Sequence, residues 1–168
     1  MKIFISAGEH SSDLLGAKLI RALKDELDNE NHIDFQGIGG PLMEREGFKS
    51  IFSFSLLSVM GIRDIAFNLF PILKVLRQGC AYILAWKPDL IITIDAPEFN
   101  LRFASRVRKK WKNVKIVHYV LPSVWAWRQG RVKVLKKNVD HILSILPFEK
   151  EFLKKFGMKC DFVGHPIS

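Results

Sequence analysis

At 168 residues, with 48% hydrophobic and 26% charged side chains, the chain has the length and balance of one globular domain with a real core. That excludes a disordered tail or a small disulfide scaffold, and Cys80 and Cys160 stand far apart, in no metal-ligand spacing, as reduced structural thiols. The net charge of +9 is uneven: residues 1–84 carry 9 Lys/Arg against 10 Asp/Glu, and residues 85–168 carry 17 against 7. Such a basic half suits an anionic partner, whether nucleic acid, phosphorylated small molecule or acidic lipid surface; the plainer reading is a solvated basic face.

The start, Met1-Lys2-Ile3-Phe4-Ile5-Ser6, turns polar too early for a secretory leader. Lys2 to Ala7 reads as a first strand, broken at Gly8. Ser11 or Ser12 can cap the following helix, and Asp13 suits the positive end of its dipole. Leu15, Leu19, Ala22, Leu23 and Leu27 then give one apolar helical face. Ile33 to Gly37 is a short second strand. Gly37-Ile38-Gly39-Gly40 matches neither a dinucleotide fingerprint nor a P-loop and reads as a tight turn into a short helix through Met43 to Glu46. Residues 62–86 are apolar and helical, with Pro71 splitting them or sitting in a first turn. Asn68, Lys74, Arg77 and Gln78 interrupt the run, so it is no membrane span. It is core or a face that meets acyl chains.

Pro88 to Asp95 is the clearest strand, apolar enough to be buried on both faces of a parallel sheet. Pro97 opens a helix with Phe99, Phe103 and Val107 on its apolar stripe. Lys115–Val120 and Asp140–Ile145 are further strands, Pro147–Phe156 a short helix and Asp161–Gly164 a last strand. Strands alternating with helices predict an α/β domain with a doubly wound, mostly parallel, Rossmann-like sheet.

In such sheets ligands lie beyond the carboxyl ends of the strands. Three loops fall there: Gly8 to Asp13, Asp95 to Asn100, and the irregular run His118 to Arg131. The last holds Trp125, Trp127, Arg128 and Arg131, rings beside guanidinium groups, as in a binding loop or a plug at one end of the sheet. A carboxylate at the end of an apolar strand, such as Asp95, is partly desolvated and can act as a general base, or it can merely start the next helix. Glu9 carries the same ambiguity. With Asp13 it can hold a sugar hydroxyl or orient a base. The five histidines show no metal spacing, and His118 and His141 read as satisfied core residues within strands.

Taken in order, Ala7-Gly8-Glu9-His10-Ser11-Ser12-Asp13, Gly37-Ile38-Gly39-Gly40-Pro41-Leu42-Met43, Val59-Met60-Gly61-Ile62, Ile94-Asp95-Ala96-Pro97-Glu98-Phe99-Asn100, Pro122-Ser123-Val124-Trp125-Ala126-Trp127-Arg128, Leu146-Pro147-Phe148-Glu149 and Phe162-Val163-Gly164-His165-Pro166 resemble the lipid-A-disaccharide synthase family. They cover essentially the whole chain. The resemblance implies the N-terminal half of a GT-B glycosyltransferase. The reaction it implies moves 2,3-diacylglucosamine from UDP to 2,3-diacylglucosamine 1-phosphate, with inversion and without metal or other cofactor. It implies Asp95 and Glu9 as catalytic groups, and Ser11, Asp13, Asn100, Ser123, Trp125, Trp127 and Arg128 as substrate-binding ones. It also implies a cytoplasmic place, peripheral on the inner membrane of a Gram-negative bacterium.

Three residues depart from the family pattern: Ser12 stands for a usual Gly, Leu121 for a Ser and Glu98 for an Asp. A side chain at position 12 is expected to crowd its loop. Family members run to about twice this length. Residues 1–168 are therefore expected to form a single acceptor-side domain, lacking the nucleotide-sugar half and inactive alone. A separate C-terminal half or a homodimer is a possible partner. Two alternatives stand beside this reading. One is a non-catalytic partner or remnant that binds lipid acceptor or membrane without turnover. The other is a basic nucleic-acid-binding domain, for which no motif is present.

Overall fold

The computed structural model describes residues 1–27, 32–52, 69–122 and 130–165. Seven strands form one sheet: β1 (Lys2–Ala7), β2 (Asp34–Ile38), β3 (Lys49–Ser50), β4 (Leu90–Ile94), β5 (Lys115–Tyr119), β6 (His141–Ser144) and β7 (Cys160–Phe162). The helices are α1 (His10–Leu27), α2 (Pro41–Arg45), α3 (Leu69–Trp86), α4 (Pro97–Lys110), α5 (Gly130–Asn138) and α6 (Pro147–Lys154). The spatial order is β3-β2-β1-β4-β5-β6-β7, and every pair is parallel. This is the Rossmann-like α/β architecture expected from the alternation.

Period-two strands feed both layers. Ile3, Ile5, Ala7, Ile92 and Ile94 pack with Ala17 and Ile20 of α1 and Met43 of α2. Phe4, Ile91, Ile116 and Ile142 pack with Leu76, Ile83, Phe103, Val107, Leu135 and Leu153 of the other helices. Each large apolar side chain so buried contributes about 1.5–3 kcal/mol. The α1–α2 contact is close because a Cβ on Gly16 would stand 2.5 Å from Met43 Sδ, a position only glycine fills without repacking.

Two elements were not anticipated. Strand β3 has only two residues, too few for a pattern. Helix α5 buries Val132, Leu135 and Asn138 but exposes Val134 among four basic residues, so its apolar period is faint. Pro71 lies in the first turn of α3, and residues 62–68 lie outside the described residues.

Candidate functional site at the carboxyl edge of the sheet

The chain order reverses between β1 and β4: β2 and β3 lie on one side of β1, and β4 to β7 run the other way. Neighbouring strands whose connections leave in opposite directions open a crevice beyond their carboxyl ends. Glu9 follows β1 and Asp95 follows β4, so both acidic candidates stand at that crevice. Their loops meet, since a Cβ on Gly8 would lie 3.8 Å from Ala96 Cβ.

Both carboxyls are half-buried and both titrate above the ordinary carboxylate range. For Asp95 the cause is burial, opposed by a hydrogen bond with the Ala96 backbone. For Glu9 it is burial first and then the nearby negative charge of Asp95. A carboxylate raised in this way is a better proton acceptor than a solvated one.

The backbone here is strained. Asp95 and Ala96 have φ of 48° and 42°, and Val120, after β5, has φ of 71°. Left-handed geometry costs an L-residue roughly 1–2 kcal/mol, and it is rarest for a β-branched one. Outliers of this kind gather at functional sites, where surrounding bonds over-determine them. Here the Asp95 N–H donates to Tyr119 O at 2.9 Å and the Val120 N–H to Leu143 O at 3.0 Å.

Several candidates turn out to be internal. Asp13 is 1% exposed. Its oxygens accept the N–H groups of Gly40, Leu42 and Met43 at 2.9–3.1 Å. It therefore fixes the start of α2 rather than facing a ligand. A Cβ on Gly40 would lie 2.5 Å from Asp13 Oδ2, which explains the glycine there. Asn100 is fully buried and bonds within the edge, so it too is no direct ligand contact. Ser12 does not crowd its loop. Its hydroxyl donates to Glu9 O at 2.8 Å and accepts the Glu9 N–H at 2.9 Å, bracing the turn. Ser11 is exposed at the start of α1. Ser123, Trp125, Trp127 and Arg128 lie outside the described residues.

Glu98 forms an ion pair with Arg131, tying the first turn of α4 to that of α5. His141 meets Asp161 at 2.9 Å. His118 is not the satisfied core residue expected. Its Nδ1 contacts the Thr93 hydroxyl at 2.8 Å, but its buried Nε2 has no partner among the described residues. Burial pushes its pKa from 6.5 to about 4. Ser6, Thr93 and His118 are paired in register across β1, β4 and β5. This buried polar row beneath the edge was missed in the sequence. The available signal was a polar residue at an inward position of each apolar strand.

Basic side chains lie elsewhere. Arg102, Ser105, Arg106, Lys109 and Val134 line a groove of about 360 Å³ between α4 and α5. Lys133, Lys136 and Lys155 line another of about 450 Å³ beside α5 and the end of α6. Among the described residues no group of three or more His, Cys, Asp or Glu is placed to hold a metal ion, and no helix is long and apolar enough to cross a membrane.

Fold and edge together define a Rossmann-like α/β domain with an acidic pair at its switch point. Over residues 3–168 the chain matches the family described as lipid-A-disaccharide synthetase, and it belongs to that family. It is 47% identical to the lipid-A-disaccharide synthase of Idiomarina loihiensis, covering 99% of this chain and 43% of that one. It is 44% identical to the synthase of Ruegeria pomeroyi, covering 99% and 41%, and 46% identical to that of Chromohalobacter salexigens, covering 100% and 42%. The chain thus spans about two-fifths of the length of these relatives.

Proposed function

We propose that this chain is the acceptor-side domain of an inverting GT-B glycosyltransferase. In this reading, 2,3-diacylglucosamine passes from its UDP carrier to the 6-hydroxyl of 2,3-diacylglucosamine 1-phosphate, giving the lipid A disaccharide 1-phosphate. The observation that carries it is the Asp95 carboxyl, half-buried in a left-handed turn at the switch point, raised by desolvation and next to Glu9. Inversion needs one base on the acceptor hydroxyl and no covalent intermediate, and Asp95 is that base. Glu9 holds or orients the acceptor, and Ser11, Ser123, Trp125, Trp127 and Arg128 contribute to its binding. Charge on the departing UDP requires a nucleotide-binding part in addition to these groups.

The test is a Trp-fluorescence titration of the chain with diacylglucosamine 1-phosphate beside a UDP titration. Saturable lipid binding that Asp95→Ala or Glu9→Ala abolishes, without a UDP response, is expected. A folded chain with no lipid response overturns the acceptor-side assignment. The basic grooves on α4 and α5 favour a second property, peripheral attachment to an anionic membrane in the cytoplasm. Each basic residue near such a surface contributes about 1 kcal/mol. Co-sedimentation with anionic but not neutral vesicles checks it.

A further inference from the structure

We infer that Asn100 is a positioning residue: it holds the Asp95–Ala96 turn in its left-handed form and ties that turn to the end of β1, so that the Asp95 carboxyl keeps its aim beside Glu9. Asn100 is the fourth residue of α4 and is fully buried. Its Nδ2 donates to Asp95 O at 2.8 Å and to Ile94 O at 3.0 Å, and reaches Ser6 O at 3.4 Å. Its Oδ1 accepts the Ser6 hydroxyl at 2.7 Å. One carboxamide therefore engages the two residues that lead into the turn and the strand that leads to Glu9.

The turn needs such a brace. Ala96, the residue before α4, makes no side-chain cap, and neither Asp95 nor Ala96 is a glycine that takes positive φ freely. Both peptide units that flank the Asp95 Cα are gripped, the first by Tyr119 O at the Asp95 N–H and the second by Asn100 at the Asp95 carbonyl. With those two bonds fixed, the direction of its Cα–Cβ bond is fixed. The Ser6 hydroxyl selects the amide orientation, because only Oδ1 can accept from it while Nδ2 faces the carbonyls. Neither an alanine nor an aspartate supplies both functions. The elevated titration of both carboxyls agrees with a turn that keeps them partly dry and near each other.

The clamp is read from hydrogen bonds alone; only its catalytic consequence rests on Asp95 being the base. The test is carboxyl-carbon NMR titration of Asp95 and Glu9 in the 168-residue chain, with Asn100→Ala, Ser6→Ala and Asp95→Asn variants. In Asn100→Ala the turn relaxes, water reaches Asp95, and its titration falls toward the ordinary carboxylate range. Glu9 falls with it, toward the value it takes in Asp95→Asn. Ser6→Ala keeps the carbonyl bonds, shifts both carboxyls in the same direction by less, and decides the matter if Asn100→Ala does not fold. A folded variant that loses thermal stability while both carboxyls titrate as in the parent makes Asn100 merely structural and overturns the inference. Failure of the base assignment reads differently: full turnover by Asp95→Asn in a full-length family member, with the titration results unchanged.

Discussion

The carboxyl edge of β1 and β4 and the helical layer of α4 and α5 hold their charge in opposite ways. At the edge, two acidic groups sit half-buried, Asp95 on strained backbone, and their turns are braced by hydrogen bonds from Asn100 and Ser12. In the layer, α4 carries five basic residues against one acidic and α5 four against none, mostly on the surface. Helix α1, on the other face, carries three of each. Chemistry and attraction thus reside in different parts of the molecule. A few groups in a dry, fixed setting act all or nothing, whereas many solvated charges act by degrees. The net charge of +9 therefore describes one layer and is silent about the acidic edge.

The largest effect is expected at Asp95. Asp95→Asn in a full-length family member is expected to lower turnover by about 10²–10⁴, or roughly 3–5 kcal/mol of barrier, with the melting temperature unchanged. A loss below tenfold removes the distinction between edge and layer. Next comes Asp13, whose removal strands three backbone N–H groups at the start of α2. Asp13→Ala is expected to cost about 3–4 kcal/mol of stability in chemical denaturation, an effect on folding and not on titration of the edge.

His118 makes the buried region sensitive to pH. It is buried neutral, with its pKa at about 4 against 6.5, so between these values the unfolded chain binds more protons than the folded one. Stability therefore rises with pH across that window, and about 3 kcal/mol is lost as pH falls from 6.5 to 4. Urea titrations at several pH values should show this slope, and His118→Gln should flatten it. The smallest effects belong to the layer. Arg102→Ala and Lys133→Ala are each expected to weaken anionic-vesicle binding by about 1 kcal/mol and to add nearly independently, while Arg45→Ala on α2 leaves it unchanged. A cooperative collapse after either single substitution would contradict the graded picture.

Much of this was legible in the chain itself. Apolar β4 announced a strand buried on both faces, Pro97 announced the start of α4, and the loop after each central strand drew attention to Glu9 and Asp95. What stayed hidden depended on partners distant in sequence. Asp13 looks like a helix-dipole residue until α2, 27 to 30 positions away, places three donors on its oxygens. Asn100 looks like a ligand contact until Ser6, 94 positions earlier, meets it. The vacant Nε2 of His118 cannot be read from a strand that otherwise alternates normally. Helix α5 was masked by its own basic residues, which dilute the apolar period.

The all-parallel sheet has a consequence for how the molecule is made. Its first strand lies inside the sheet, between β2 and β4: Ile3 pairs with Leu90, and no strand is joined to its neighbour by a hairpin. Contacts that distant slow folding, because loop closure precedes any reward from pairing. At about 5–20 residues per second of synthesis, roughly 4–18 s separate the emergence of β1 from that of β4. During that interval Ile3, Phe4 and Ile5, all fully buried in the finished sheet, have an open flank on the ribosome. A nascent-chain binding factor would find its target there, and slowing translation before Leu90 should lengthen the capture.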